Sequence, residues 1–362
     1  MEINLNSRVS LAEAADLIVS VGSENTCHLV GEPGIGKTAT FEDIVSRTGF
    51  KGVYIDVPNV ELGDLGIPVP NHDSKTTHFY PNEYWGFHHD EPLVIFLDEF
   101  TKGAQSVQNM LHPLLNEGRL GGKVMHPDTI VVTAGNLSGD GVGDTMKAHT
   151  RNRVTVVPVA KPAAGFNADG SIEKGSWGEW GIRNDVAPEV LTFVKEYQTV
   201  LASYLDGGQA ENPYIYNPKK SQISFASPRS LVKASNIVKK RLNFSRNALI
   251  TALEGTIGAA TARDFVSYLE VADSLPTWES ITNNPSNAQV PNSPAALCIL
   301  AFNALQRIDR ASVGKWFEYM KRTPKELQSV FCLSAMKSDS KKQLLMTSAP
   351  FVTWMRENQY LF

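Results

Sequence analysis

This chain has few cysteines, no large excess of positive or negative charge, and no long apolar run. Each of these absences excludes a class of protein. Its 362 residues include three cysteines, Cys27, Cys298 and Cys332, which lie far apart and form no C-x-x-C pair. That spacing excludes the common zinc motifs and a disulfide framework, and it is typical of free thiols in a reducing compartment. Because there is no run of about 18 apolar residues and no apolar signal-peptide core, we expect a cytoplasmic protein without a membrane span.

The charge balance is also unremarkable. Lys and Arg total 34 and Asp and Glu total 38, which gives a formal net charge of -4. Nucleic acids are bound by clustered Lys and Arg, so this composition disfavours a nucleic-acid partner, although a local patch could still bind one. The charge is unevenly distributed, since residues 53–100 hold nine acidic residues against one lysine and residues 301–362 hold ten basic residues against five acidic ones. Between neighbouring copies, such opposite charges could steer association.

Short apolar runs alternate with helical patterns in the first part of the chain. The LVIFL run at 93–97 is apolar throughout, which is typical of a strand buried on both faces. Alternating strands and helices predict an α/β fold with a parallel sheet. The predicted strands are 26–30, 52–57, 93–97, 129–134 and 154–159, and the predicted helices are 10–21, 37–48 and 105–115.

The second part of the chain has a different pattern. Residues 161–185 are rich in Gly, Ser and Asn, which predicts a linker, and a Pro- and Asn-rich stretch at 276–294 interrupts the helical pattern that follows. We therefore predict an α/β domain at 1–160, a linker at 161–185, a helical domain at 186–275 and a helical extension at 276–362. The predicted helices are 186–205, 229–242, 248–269, 295–308, 312–321, 324–336 and 349–358. Aromatic residues at helical spacing predict the core of the extension: Trp316, Phe317, Tyr319, Phe331, Phe351 and Trp354.

Residues 31–38 read GEPGIGKT and match the phosphate-binding pattern G-x-x-x-x-G-K-[ST] at every fixed position. The segment follows a predicted strand and begins a predicted helix, which is the context that the motif requires. Its glycines let backbone N–H groups turn toward phosphate oxygens, and the helix amino terminus adds the positive end of its dipole. Lys37 would neutralise the β- and γ-phosphates, and Thr38 would place its hydroxyl on Mg²⁺. The predicted nucleotide-binding residues are Gly31, Glu32, Pro33, Gly34, Ile35, Gly36, Lys37, Thr38 and Ala39.

Two adjacent carboxylates, Asp98 and Glu99, directly follow the LVIFL run. A strand of a parallel sheet delivers its last residues to the carboxyl edge, where a phosphate-binding loop also lies. We therefore expect Asp98 to hold Mg²⁺ with Thr38, and Glu99 to polarise the attacking water as a general base. Small GTPases use other elements, and the chain lacks the N-K-x-D guanine motif.

Seven segments together resemble the MoxR branch of the AAA+ ATPases, which is related to the dynein and midasin modules. The resemblance implies an αβα nucleotide domain, a helical lid, binding of ATP or ADP with Mg²⁺, and a homo-oligomeric ring that is usually a hexamer. It also implies a protein client, typically reached through a partner with a von Willebrand A domain. The segments are GEPGIGKT, DLGIPVP at 64–70, VIFLDEF at 94–100, QSVQNMLHPLLNEGRL at 105–120, VVTAGN at 131–136, RNRV at 151–154 and ASPRSL at 226–231.

The same resemblance implies catalytic roles for four further residues. Asn136 resembles the sensor 1 residue that orients the attacking water. Arg153 resembles the arginine finger that reaches a nucleotide held by the next subunit, with Arg151 as a competitor because the residue after Arg153 is Val154 and not the usual Phe. Arg229 resembles sensor 2, at the start of a lid helix.

The sequence determines neither the client nor the direction in which force would act on it. Residues 58–92 form an insert with five aromatic residues, and a hairpin is predicted at 118–127 around Gly121-Gly122. The aromatic side chains could grip a polypeptide in a ring pore, or they could pack on the domain edge. Two alternatives to protein remodelling remain: a nucleic-acid motor or loader subunit, and an ATP-dependent assembly switch. The aromatic residues are Phe79, Tyr80, Tyr84, Trp85 and Phe87.

Overall fold

The computed structural model describes residues 7–137, 146–167, 171–273 and 275–358. The chain divides into two compact units, Met1–Lys161 and Pro162–Phe362. In the first unit the strands are β1 (Cys27–Gly31), β2 (Lys51–Asp56), β3 (Ile67–Asn71), β4 (Thr76–Tyr80), β5 (Leu93–Asp98), β6 (Arg119–Leu120), β7 (Lys123–Val124), β8 (Ile130–Asn136) and β9 (Thr155–Pro158). Its helices are α1 (Leu11–Val21), α2 (Lys37–Thr48), α3 (Leu62–Leu65), α4 (Gln105–Glu117) and α5 (Ala148–Arg151).

Five strands of the first unit form one parallel sheet in the order β2-β5-β8-β1-β9. Because every strand runs the same way, all five carboxyl ends meet at one edge. Gly31 pairs with Asn136 there, and Asp56 pairs with Asp98. Two antiparallel hairpins, β3–β4 and β6–β7, lie outside this sheet.

The sheet is buried on both faces, as the LVIFL run predicts. Alternate residues of β5 enter different cores: Val94 and Phe96 pack with α1 and α2, whereas Ile95 and Leu97 pack with α4. The arrangement is a three-layer αβα fold. Since a strand has a side-chain period of two, a continuous apolar run is what a strand between two helical layers requires.

Local sequence explains where the first two helices begin and end. Ser10 and Glu13 form a reciprocal capping box at the start of α1, with Ser10 N–H donating to Glu13 Oε2 at 2.8 Å. The next helix, α2, begins after Gly36 and ends at Gly49, whose φ of 69° is a left-handed conformation that glycine adopts readily.

The second unit is helical, and the structure describes it as far as residue 358. Its large aromatic residues form the core that the sequence predicts, and Trp316, Tyr319 and Phe351 are completely buried, with Phe317, Phe331 and Trp354 at most 1% exposed. Trp354 Nε1 donates to Gln328 Oε1 at 2.9 Å, which satisfies its one polar atom. The helices are α6 (Trp177–Arg183), α7 (Pro188–Glu196), α8 (Pro228–Val238), α9 (Arg246–Ile257), α10 (Ala259–Asp273), α11 (Trp278–Asn283), α12 (Pro294–Arg307), α13 (Val313–Met320), α14 (Lys325–Ala335), α15 (Asp339–Met346) and α16 (Ala349–Glu357).

The structure differs from the sequence-based expectation at several places in this unit. The helix predicted at 186–205 ends at Glu196 in α7, and α11 and α15 form where no helix is predicted. A helix, α6, lies within the segment predicted as a linker, because its glycines serve close packing: a Cβ at Gly178 would lie 2.7 Å from Phe166 Cζ. The helix predicted at 248–269 is broken at Gly258, whose φ is 86° and where a Cβ would lie 2.8 Å from Ser224 O. No helix in the described ranges is long and apolar enough to cross a membrane.

Candidate functional site

The phosphate-binding loop joins β1 to α2, and its glycines are required by its conformation. Gly34 and Gly36 have φ values of 74° and 111°, which L side chains rarely adopt. At Gly31 the constraint is space, because a Cβ there would lie 2.7 Å from Ile35 Cδ1. A curled loop that leads directly into a helix amino terminus suits the oxygens of a phosphate group.

Lys37, the lysine of this loop, lies at the carboxyl edge of the sheet and is only 7% exposed. Its Nζ donates to three oxygens, each at 2.9 Å: Gly31 O, Glu32 O and Asn136 Oδ1. Asn136 can reach it because β8 neighbours β1 and pairs Asn136 with Gly31. A buried cation needs such partners, so these acceptors fix where a positive charge lies beside the loop.

Asp98 lies at the end of β5 and accepts three hydrogen bonds. Its Oδ2 accepts from Thr38 Oγ1 at 3.1 Å and from Tyr54 Oη at 2.7 Å, and its Oδ1 accepts from the Glu99 N–H at 2.9 Å. The structure therefore brings together the hydroxyl and the carboxylate that the sequence predicts as metal ligands. Tyr54, on β2, is a contact that the sequence reasoning missed.

Glu99 has a backbone conformation that is uncommon for its residue type. Its φ is 48° and its ψ is 35°, in the left-handed region. The Asp98 side chain holds its N–H, and its carbonyl accepts from the Lys102 N–H at 2.8 Å. The side chain also pairs with the Lys102 ammonium. Non-glycine residues in this region cost of order 1 kcal/mol or more and are frequent at functional sites.

His28 is a buried histidine on β1, paired with Thr133 of β8, the strand that ends at Asn136. Its Nδ1 lies 2.8 Å from Thr133 Oγ1, and its ring occupies the space beside Gly135, where a Cβ would lie 3.1 Å from His28 Cε1. Burial, and then the positive charge of Lys37, lower the pKa of His28 to about 4. At neutral pH the ring is therefore uncharged, and Lys37 is the cation at this place.

Residues 27–154 match the family described as "AAA domain (dynein-related subfamily)". In this segment the chain is similar to that family. The match covers the loop, both acidic residues, Asn136 and the RNR segment, and it supports the AAA+ ATPase class.

Solved structures give a much weaker likeness. One is a variant of RuvB from Thermotoga maritima, with 15% identity, a TM-score of 0.36, and coverage of 87% of this chain and 93% of that one. Another is RuvB from the same organism, described as a Holliday junction branch migration motor, with 14% identity, a TM-score of 0.35, and coverage of 87% and 89%. Among curated proteins none matches. Nothing about substrate follows from likenesses this low.

Both candidate arginines lie at the opposite edge of the parallel sheet from Lys37. They precede β9, whose first residue pairs with Cys27 at the amino end of β1, and Thr155 N donates to Thr26 O at 2.8 Å. At about 3.3 Å per residue, β1 alone separates the two edges by about 13 Å. The structure thus brings neither arginine to the loop of its own chain.

The surroundings of these arginines distinguish them. Arg151 is exposed at the end of α5, whereas Arg153 is partly buried and its Nη1 donates to His149 O at 2.6 Å. His149 stacks edge-on against His112, whose Nε2 lies 3.0 Å from Thr150 Oγ1. Burial, with the charges of Arg153 and His149, lowers the pKa of His112.

Arg229 lies outside the AAA domain match, in the second unit. It is exposed in the first turn of α8, after Ser227, which caps that helix in a capping box with Ser230. The helix begins at Pro228, close to the predicted start at 229.

The aromatic residues of the insert separate into two groups. Trp85 and Phe87 are buried in the first unit, at 0% and 4% exposure, and Trp85 Nε1 donates to Asp64 O at 3.0 Å. Phe79 and Tyr80, on β4, are exposed at 48% and 59%, and Tyr84 is also exposed. The packing interpretation therefore holds for the first pair, and the second group is available at the surface.

The two hairpins of the first unit touch each other. A Cβ at Gly121, in the turn of the predicted hairpin, would lie 3.4 Å from Phe79 Cβ. The hairpins expose several large apolar side chains, which we call the hairpin patch: Ile67, Val69, Phe79, Tyr80 and Val124. In the β3–β4 register Ile67, Val69 and Tyr80 share one face, and Phe79 lies on the other, toward the turn of the second hairpin.

Proposed function

We propose that this chain binds Mg-ATP, hydrolyses it at sites shared between neighbouring copies, and uses the resulting movement to remodel a protein partner, as MoxR-type ATPases do. One observation carries the proposal: beside the phosphate-binding loop, adjacent residues of α2 form two hydrogen-bonded pairs with the ends of two strands, Lys37 with Asn136 of β8 and Thr38 with Asp98 of β5. Phosphoryl transfer needs positioning and charge neutralisation more than covalent chemistry. An ammonium, a hydroxyl, a carboxylate and an amide at one phosphate-binding loop supply these.

The donor set fits magnesium. Thr38 Oγ1 and Asp98 Oδ2 are hard oxygen ligands 3.1 Å apart. These two residues would hold the ion, which when bound supplies positive charge to the phosphate oxygens. Lys37 would exchange its carbonyl acceptors, Gly31 O and Glu32 O, for phosphate oxygens, because an anionic acceptor binds an ammonium more strongly than a neutral one.

Glu99 is the proposed general base. It would orient the attacking water and accept its proton, with Asn136 as the second group that holds this water. The left-handed backbone of Glu99 supports this role, because strained backbone conformations are frequent at functional sites. Its N–H bonds to Asp98 and its carboxylate pairs with Lys102, and these contacts hold the strained conformation in place. The ion pair with Lys102 would have to open for the carboxylate to meet the water.

The separation of the arginines from their own loop supports a shared active site. Arg153, held by the His149 carbonyl, is the proposed finger, and Arg151 is the alternative. An arginine supplied by a neighbour accelerates hydrolysis by about 10³–10⁵ in other nucleotidases. A ring of copies, in our proposal a hexamer, would complete each site at an interface. Arg229 would report the nucleotide to the helical lid.

The hairpin patch supports a polypeptide as the client. Its exposed side chains are apolar, and residues 53–100 around it are strongly acidic, which suits a protein segment better than a phosphate backbone. In a MoxR-type assembly in the cytoplasm the client would be presented by a partner with a von Willebrand A domain.

The test is a mixing experiment with two inactive variants. Glu99→Gln should bind ATP, stabilise the oligomer and hydrolyse roughly 10³-fold more slowly, because the water loses its base. Arg153→Ala should bind ATP normally and hydrolyse roughly 10³-fold more slowly. When the two are mixed, activity should return in part, because an Arg153→Ala site next to a Glu99→Gln copy has both groups. Steady-state phosphate release measures all three.

Arg151→Ala is the matched control, since it removes the same charge two residues away. It should retain hydrolysis within a few-fold of the wild type. If the mixture stays inactive while each variant still binds ATP and oligomerises, the shared site is refuted. If Arg151→Ala and Arg153→Ala exchange behaviour, the finger is Arg151. Stimulation of phosphate release by DNA but not by an unfolded polypeptide would refute the protein client.

A further inference from the structure

Tyr54 contacts the carboxylate of Asp98, although nothing in the proposed nucleotide site requires a tyrosine. Its hydroxyl donates to Asp98 Oδ2 at 2.7 Å, the same oxygen that accepts from Thr38 Oγ1 at 3.1 Å. The other oxygen accepts the Glu99 N–H. Three donors from three places therefore hold one carboxylate, and Tyr54 is the one that belongs neither to the loop nor to the strand of Asp98.

Packing fixes the ring of Tyr54. It lies on β2, the edge strand, directly beside Phe96 of β5 in the sheet register. The two rings stack with an interplanar angle of 11° and centroids 6.1 Å apart, and Phe41 of α2 contacts Tyr54 from another side, also at 6.1 Å. A ring with two fixed torsions delivers its hydroxyl at little further cost in rotamer entropy. The side chain stays 46% exposed, so losing the hydroxyl would leave no buried cavity.

The chemistry of the contact explains why a phenol is suitable there. The terminal torsion of an aspartate is soft, so a carboxylate without fixed donors samples many orientations. A lysine or arginine would hold it but would also compete with a cation for its charge. A neutral hydroxyl restricts the torsion and leaves the full negative charge for the metal.

We propose that Tyr54 is a positioning residue for Mg²⁺: it holds Asp98 Oδ2 toward Thr38, so that hydroxyl and carboxylate face one ion. The inference rests on the proposed nucleotide function and extends it to a residue that neither the loop motif nor the acidic pair includes. Groups that orient metal ligands typically change metal affinity by about 10–100-fold when removed.

Tyr54→Phe tests this directly, because it keeps the ring and its stacking and removes only the hydroxyl. With the full-length chain saturated with ADP, Mn²⁺ is titrated and the free ion is followed by electron paramagnetic resonance. We expect Mn²⁺ to bind about tenfold more weakly than to the wild type. ADP affinity in EDTA should stay unchanged, and the Mg²⁺ concentration for half-maximal ATP hydrolysis should rise by the same factor with little change in kcat.

Tyr84→Phe is the matched control. It also removes a hydroxyl from an exposed tyrosine that stacks on another ring, Trp85, but this hydroxyl is not among the described donors to the Asp98 carboxylate. It should bind Mn²⁺ as the wild type does.

Two results would overturn the inference: equal Mn²⁺ affinity in Tyr54→Phe and wild type, or a loss of ADP affinity in EDTA as large as the loss of Mn²⁺ affinity, which would mean that Tyr54 supports the loop. Failure of the proposed function looks different, since then the wild type itself binds no ADP or gains no Mn²⁺ site from it.

Discussion

The two edges of the parallel sheet carry different chemistry. At the carboxyl edge two pairs of side chains are hydrogen-bonded: Lys37 donates to Asn136 at 2.9 Å, and Thr38 donates to Asp98 at 3.1 Å. At the amino edge, His149 of α5 packs against His112 of α4. In the described contacts, Arg153 donates a hydrogen bond only to the backbone carbonyl of His149. One edge has the parts of the proposed nucleotide site, and the other has the arginine that we propose as the finger for a neighbouring copy.

The difference teaches how a symmetric assembly could divide one reaction. Groups that bind a nucleotide must be close in one chain, since their geometry depends on the register of neighbouring strands. A group that acts on the nucleotide of another copy must instead be directed away from its own site. In a parallel sheet, the two ends of the strands provide these opposite positions.

The largest expected effect separates binding from turnover. Lys37→Ala should weaken ADP binding by roughly 100-fold, since truncating a buried charge that bonds a ligand costs about 2–5 kcal/mol. Arg153→Ala should leave ADP affinity within about twofold of the wild type, because Arg153 lies at the amino edge of the sheet and the phosphate-binding loop lies at the carboxyl edge. Fluorescence titration with a labelled nucleotide measures both. Similar losses in the two variants would contradict the division between the edges.

The next effect is the dependence of the free energy of unfolding on pH, which we expect to involve the buried His28. Because the pKa of His28 is lowered to about 4 from 6.5, the unfolded chain binds a proton between these values that the folded chain does not. The free energy of unfolding should therefore fall as pH drops from 6.5 to 4, by about 3 kcal/mol from this group. Urea unfolding of His28→Gln across this range should show a shallower decline than the wild type.

His72→Gln is the control for this experiment, since His72 is an exposed histidine in the turn of the β3–β4 hairpin. Its decline with pH should match that of the wild type. An equally steep decline in His28→Gln would show that His28 does not account for the acid sensitivity.

The smallest effect tests the shape of the loop. Gly36→Ala places a side chain at a φ of 111°, which should lower the free energy of unfolding by about 1–3 kcal/mol and weaken ADP binding at the same time. Gly63→Ala, in α3, is the control, because a Cβ there meets nothing within 4 Å. That variant should be neutral or more stable by a few tenths of a kcal/mol. An equal response of the two would mean that the loop tolerates a side chain.

Particular residues show where sequence reasoning succeeded. The helix predicted at 37–48 is α2 residue for residue, because a glycine with positive φ precedes it and another ends it. The strand before Asp98 was predictable from its apolar run. The helix α6 was missed because its glycines resemble a turn signal, while in the fold they allow contacts to Phe166 and Leu191 that a Cβ would prevent. Composition cannot distinguish these two uses of glycine.

The sequence alone determined the local parts: the phosphate-binding loop, the acidic residues after a buried strand, and the αβα layering, all of which depend on neighbours in the chain. Only the tertiary structure decided which distant side chains meet. The contact of Tyr54 with Asp98, the bond of Lys37 to Asn136 and the placement of Arg153 at the far edge depend on strand order and register. Strand order is set by the packing of whole layers, and no local pattern encodes it.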